Sequence, residues 1–198
     1  MPGSVDPARG QIRLVGPEER GQRSLLREIF SILVTALVLT LVIRTFLFTT
    51  FLVEGDSMAE TLHDGDRVLV NRFIYHLRQP EREEVVVFRL KADDPETLVK
   101  RIIATAGEMV EIKQGVLYIN GVPAPEDYVG YHDLEDASPV KVPPGAVFVM
   151  GDNRPRSSDS RNFGAVRLDQ IQGKVLLVFW PPESFSFPGV SPDAPIDP

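Results

Sequence analysis

The chain has 198 residues, 43% of them hydrophobic and 25% charged, a globular rather than a disordered balance. Its 21 Lys and Arg against 28 Asp and Glu leave a net charge of -7, which argues against a nucleic-acid binder. It contains no cysteine, which excludes a disulfide scaffold, a cysteine nucleophile and a thiolate zinc site; His63, His76 and His132 are too far apart for a helical metal pair, so neither metal nor cofactor is expected.

Residues 1–24 are polar, rich in Pro and Gly, and carry Arg9, Arg13, Arg20 and Arg23. They read as a tail with little structure of its own. The stretch from Ile29 to Ile43 then carries no charge, and only Ser31, Thr35 and Thr40 are polar. Alone it makes about 22 Å of helix. Extended from Leu25 to about Phe48, it reaches the roughly 20 residues that a hydrocarbon core of about 30 Å requires. Arg27 and Glu28 then sit at one headgroup region and Arg44 snorkels to the other. The segment is apolar all round, so 25–48 is expected to be a transmembrane helix rather than a buried core helix. No Ala-x-Ala follows it, which favours an uncleaved anchor over a signal peptide. Arg13, Arg20, Arg23 and Arg27 precede it, while residues 54–70 hold only Arg67. The N-terminal tail is therefore expected in the cytoplasm and the chain beyond about residue 49 outside.

Short β-branched or aromatic runs follow: 67–70, 84–88, 98–103, 109–112, 116–119, 146–150 and 174–180. Gly, Pro, Asp and Asn separate them. Residues 108–122 look like a hairpin, with turns at 113–115 and 120–121. No helical period appears after residue 55. The spacing predicts a coiled or closed β-domain over 49–182. Its stretch 123–143, with Pro123, Pro125, Pro139 and Pro143, reads as a surface excursion, and 183–198 as a Pro-rich tail.

Three segments could carry chemistry. Gly55-Asp-Ser-Met-Ala-Glu-Thr-Leu62 is the first; taken alone it is an Asx or Ser turn. The second is Leu98-Val-Lys-Arg-Ile-Ile103. In a strand, Leu98, Lys100 and Ile102 share one face, and Val99, Arg101 and Ile103 the other. A partly buried lysine there has a lowered pKa; the plainer alternative is an edge lysine that snorkels to water. The third is 151–164, dense in short polar groups and arginines directly after an apolar strand. It is either a solvated loop or a functional loop on a rigid scaffold.

Together the three segments resemble bacterial type I signal peptidase, the leader peptidases. That family's S/G-x-S-M-x-P-T-L stands here as 55–62, its K-R as Lys100-Arg101 followed by Gly107-Glu108, and its G-D-N-R-x-x-S-x-D-S-R-x-x-G is matched by 151–164 at every fixed position. The resemblance covers roughly residues 25–182. It implies a mainly β fold of the signal-peptidase type behind a single transmembrane helix, in the cytoplasmic membrane. It also implies a Ser/Lys endopeptidase that cuts exported preproteins after small residues at -1 and -3.

By the same resemblance Ser57 is the nucleophile and Lys100 the general base. A serine needs an adjacent base, and a lysine serves only when neutral and desolvated. Of the five lysines, Lys174 is the rival. The Ser57 N–H is one oxyanion donor. Some relatives add a hydroxyl at the position of Gly55, so either a backbone donor near Gly55 or Asp56 substitutes for it or the oxyanion hole is weaker. Ser157 is expected to hydrogen-bond Lys100, and Asp159 with Arg161 to brace the loop. Phe51, Val53, Met58, Leu62, Val68, Val87, Leu98 and Val99 are the matching pocket-wall positions. The peptide is expected to bind extended beside 98–100 and 53–55. Phe46, Phe48 and Phe51, and with them Phe179 and Trp180, are placed either at the bilayer surface or in ordinary packing. Two departures stand out: Glu60 for the family's proline, and Glu83-Glu84 for its Gly-Asp. A self-cleaving repressor-type peptidase and a silent peptide-binding β-domain remain as competing readings.

Overall fold

The structure is a computed structural model. It describes residues 18–91, 93, 95–131 and 136–189, and the side chains of all of these except 18–24 and 42–46. The expected tails at 1–17 and 190–198, and the Phe46 side chain, lie outside the described residues. The chain divides into two units, Met1–Val42 and Ile43–Pro198.

Helix α1, Glu18–Phe46, begins inside the stretch read as an N-terminal tail. Every described side chain from Leu25 to Leu41 is exposed, Phe30 to 69%. That span is about 26 Å of helix, and among the described residues no helix is long and apolar enough to cross a membrane. The uncharged run continues in sequence through Val42 and Ile43 and ends at Arg44; the side chains of 42–46 are not described.

The second unit is built on an antiparallel seven-stranded sheet. Its strands are β1 (Phe48–Leu52), β2 (Arg67–Asn71), β3 (Val85–Phe88), β4 (Leu98–Ala104), β9 (Ala146–Met150), β10 (Val166–Arg167) and β11 (Ile171–Trp180). Their order is β1-β2-β11-β3-β4-β9-β10. Of the expected coiled or closed arrangement the strand order gives the open form, with β1 and β10 as its edges among the described residues. A second sheet, ordered β7-β6-β5-β8, is formed by β5 (Met109–Lys113), β6 (Val116–Ile119), β7 (Val122–Pro123) and β8 (Ala137–Lys141). The hairpin read at 108–122 is β5 and β6, paired Val110 to Ile119.

The strands hold because their Val and Ile side chains are buried on both faces of the larger sheet. Val53, Met58, Leu62, Val68 and Val87 form one cluster. Val86, Phe88, Ile102, Val147 and Val149 form another on the opposite face. Each side chain buried this way contributes about 1.5–3 kcal/mol. A third cluster joins the two sheets through Ile103, Ala104, Val110, Ile112 and Phe148.

Several stretches depart from the sequence reading. β8 lies inside the predicted surface excursion. Residues 181–189, read mostly as tail, fold back: the Val178 amide donates to Ser186 O at 2.9 Å, and Pro188 O accepts from Arg101. Two four-residue helices appear beyond residue 55, α2 (Ile74–Leu77) and α3 (Ser160–Phe163), too short to leave a period. Glu83 stands in the left-handed region at φ 70. Its neighbour Glu84 is buried and accepts from Tyr75 Oη (2.9 Å), Lys174 Nζ (2.7 Å), the Glu81 amide (3.1 Å) and Arg78.

Candidate active site

Ser57 sits in the loop between β1 and β2. The loop is closed at its base by Val53 N to Asp66 O (2.8 Å) and Gly65 N to Val53 O (3.0 Å). Gly55, at φ +87, takes a backbone conformation that side chains resist. After Ser57 the chain turns tightly, with Thr61 and Leu62 amides both donating to Met58 O. Met58 and Leu62 are buried and anchor the turn, while Ser57 stays partly accessible.

Lys100 lies on β4, an interior strand held by Val86 of β3 on one side and by β9 on the other. This placement removes the edge-lysine alternative. Its side chain is 3% exposed. Nζ is 2.6 Å from Ser57 Oγ and donates to Val99 O at 3.0 Å. Burial pushes the amine below its ordinary value, against the opposing pull of Asp159, Asp152 and Glu96. Lys174, the rival, instead donates to the buried carboxylate of Glu84 at 2.7 Å.

The loop 151–164 clamps the serine loop from the other side. Asn153 donates its amide to Ser57 O (3.1 Å) and its side chain to Asp56 O (2.9 Å), and Arg156 meets the Asp56 carboxylate at 2.9 Å. Gly151 is wedged between the two loops: a Cβ there would lie 2.4 Å from Ser57 O and 2.3 Å from Ser157 Oγ. Asp159 caps α3 and pairs with Arg161 at 2.9 and 3.0 Å. Ser157 differs from expectation. Its Oγ accepts from the Gly151 amide at 3.1 Å, and among the described hydrogen bonds Lys100 has only Ser57 and Val99 as acceptors. Gly55 differs too: its N–H donates to Asp64 Oδ1 at 2.8 Å, so it is not available to an oxyanion. The Ser57 N–H has no acceptor among the described residues.

Residues 26–180 match the family model described as signal peptidase, peptidase S26. The chain is 42% identical over 161 residues to "Signal peptidase I" of Bacillus amyloliquefaciens, covering 75% of this chain and 82% of that protein. It is 44% identical over 161 residues to "Signal peptidase I S" of Bacillus subtilis (strain 168), covering 75% and 86%. It is 38% identical over 184 residues to "Signal peptidase IB" of Staphylococcus aureus (strain MRSA252), covering 84% and 95%. The chain belongs to the signal peptidase family, peptidase S26. A solved signal peptidase I from Enterococcus faecalis V583 superimposes with a TM-score of 0.42 at 34% identity, over 49% of this chain and 97% of that one. Membership makes this chain a serine endopeptidase.

In this peptidase a cleft of about 330 Å³ opens beside Ser57 and Lys100. Six of the expected wall residues line it: Phe51, Val53, Val68, Val87, Leu98 and Val99. Met58 and Leu62 do not; both are buried behind the loop and pack with the cleft floor. Glu54, Pro95, Glu96 and Thr97 line it as well. Nothing local in the sequence marks them.

The peptidase also holds a buried hub that its motifs hinted at only in part. Arg101 donates to both Asp152 oxygens (2.9 and 2.6 Å), Thr61 Oγ1 (3.1 Å), Glu83 O and Pro188 O (both 2.9 Å), and stacks 4.2 Å over Tyr128. Arg154 pairs with buried Glu126. Thr61, Glu126 and Pro188 come from distant parts of the chain, so no motif spacing announces them.

Proposed function

We propose that this peptidase removes signal peptides from exported preproteins through a Ser57/Lys100 dyad, cutting after small residues at -1 and -3. The observation that carries the reading is the 2.6 Å approach of Lys100 Nζ to Ser57 Oγ at a lysine only 3% exposed. Neutral Lys100 takes the hydroxyl proton as Ser57 Oγ attacks the scissile carbonyl. The Ser57 N–H faces the developing oxyanion, and one such donor is worth about 10²–10³ in rate. Lys100 then passes its proton to the leaving amine, and an acyl-Ser57 intermediate remains. Water, deprotonated by Lys100, hydrolyses the ester and restores the free serine.

Gly151, Asn153, Ser157, Asp159 and Arg161 hold the two loops in register and do not touch the reacting atoms. The apolar floor at Val53, Val68 and Val87 suits small side chains, and the peptide binds extended between 53–55 and 97–100.

The chain also acts from a membrane, with α1 as a single-pass anchor, residues 1–24 cytoplasmic and 49–182 outside. The whole helix is about 43 Å long, and its described apolar side chains are exposed. Leu52, Trp180, Phe185 and Phe187 are each more than half exposed, and Leu52 and Trp180 both align with Arg67 at one end of the sheet. Exposed apolar and aromatic residues of this kind suit a lipid surface.

The decisive experiment incubates the full chain in detergent with a preprotein bearing Ala-x-Ala. Ser57→Ala and Lys100→Ala each abolish cleavage, and Lys174→Ala does not. Cleavage surviving in Lys100→Ala, or an uncut preprotein with wild type, sinks the reading.

A further inference from the structure

The cleft has an apolar floor and an acidic rim. Val53, Val68 and Val87 at its base are buried, whereas Glu54 and Glu96, which also line it, are exposed; Glu54 lies within one of the segments between which the peptide is placed, and Glu96 immediately precedes the other. Val53 is buried and Glu54, the next residue, is exposed, so one turns to the floor and the next away from it. Among the described residues the Glu54 carboxylate enters no hydrogen bond or ion pair. Glu96 is near enough to Lys100 for its charge to be felt at the amine. Both carboxylates therefore border the path of the substrate.

An extended peptide alternates its side chains with a period of two. If -1 and -3 enter the apolar floor, then -2 and -4 face the rim. We propose that Glu54 and Glu96 are specificity-determining residues that favour Lys or Arg, and reject Asp or Glu, at positions -2 and -4 of the substrate. The proposal rests on the Ser57/Lys100 reading of the cleft. An exposed ion pair of this kind changes binding by about 1.4- to 5-fold, so two acting together give about two- to twentyfold. Like charges oppose binding by the same physics, which turns the rim into a filter against acidic segments as well as a guide for basic ones.

The test uses the full chain in uncharged detergent and three matched peptides. Each has Ala at -1 and -3, and carries Lys, Gln or Glu at both -2 and -4. The expected ranking in kcat/KM is Lys over Gln over Glu, about two- to twentyfold per step, narrowing in about 0.5 M salt where the Debye length falls to a few ångströms. Glu54→Gln with Glu96→Gln flattens the ranking, and Glu54→Lys with Glu96→Lys inverts it. Equal rates for the three peptides with wild type overturn the proposal, as does a ranking that persists in the double Gln variant. A wild-type enzyme that leaves even the Gln peptide uncut refutes the catalytic reading itself, a different outcome from equal cutting of all three.

Discussion

Asp152 receives both arms of the Arg101 guanidinium, at 2.9 and 2.6 Å, where neither side chain reaches solvent. Asp152 belongs to the loop that clamps Ser57, and Arg101 is the residue next to Lys100. The pair therefore ties the strand carrying the proposed base to the loop that holds the proposed nucleophile.

Removing one member of such a pair leaves a buried charge without its counterion. Asp152→Ala should lose about 3–5 kcal/mol of stability, read as a lower urea midpoint. Arg101→Lys should be nearly as damaging, because an ammonium cannot reproduce the two-armed contact.

Protonation of Lys100 should govern the acid limb of activity. Burial lowers the amine from its ordinary 10.5, while Asp159, Asp152 and Glu96 pull it back up. Activity falls as pH drops through the lowered value. Glu96→Gln removes one anion that favours the ammonium form, so the limb should move to lower pH in a kcat/KM profile. Stability follows the same linkage. Between the lowered folded value and 10.5 the unfolded chain binds more protons, so stability rises with pH across that window. Lys100→Met should therefore be more stable than wild type at neutral pH, with the gain shrinking toward pH 10.5 in parallel denaturation curves.

Glu83 holds φ 70, a conformation that costs a residue with a Cβ roughly 1–2 kcal/mol. Its amide donates to Ile102 O and its carbonyl accepts from Arg101, so the turn is fixed from both sides. Glu83→Gly should stabilise the fold by about 1 kcal/mol, a rise of roughly 2–4 °C in Tm for a chain of this size, with cleavage retained.

Gly151→Ala should disable the site without unfolding the protein. The added methyl meets Ser57 O, a backbone atom that cannot swing aside. A displacement of the serine loop by about 1 Å is worth about 10²-fold in rate. The expected readout is a collapse in kcat with the thermal transition changed far less.

Much of the fold was legible because β-branched runs alternate with turn residues: the strands at 98–104, 146–150 and 171–180 each sit on such a run. β1 was not, because apolar residues resume directly after Arg44 and run to Val53 with no Gly, Pro, Asn or Asp to mark a turn, and hydrophobicity alone does not separate a helix from the strand that follows it. β8 was hidden by Pro139. That strand is the edge of its sheet, where a missing N–H is harmless. Ser57 and Lys100 could be picked out only through three segments read together, since each segment alone has a plainer interpretation. Their supports were invisible for a different reason: Thr61 and Asp152, or Arg101 and Pro188, meet across the fold. At the Glu83-Glu84 departure, Glu84 has four donors around it. Glu60, in the proline position, lies against Gly130, where a Cβ would come within 2.5 Å of its carboxylate; a glycine there makes room for the longer side chain.

Consecutive cations on β4 face opposite interiors, one matched with an anion and the other, among the described residues, in no direct ion pair. A pleated strand makes that assignment by parity alone. Inserting one residue between Phe88 and Leu98, if it shifted the pairing instead of bulging into the connecting segment, would put the ammonium of Lys100 in the place of Arg101, against Asp152, and Val99 in the place of Lys100, opposite the serine. The chemistry of this enzyme is thus written in an odd–even count along seven residues.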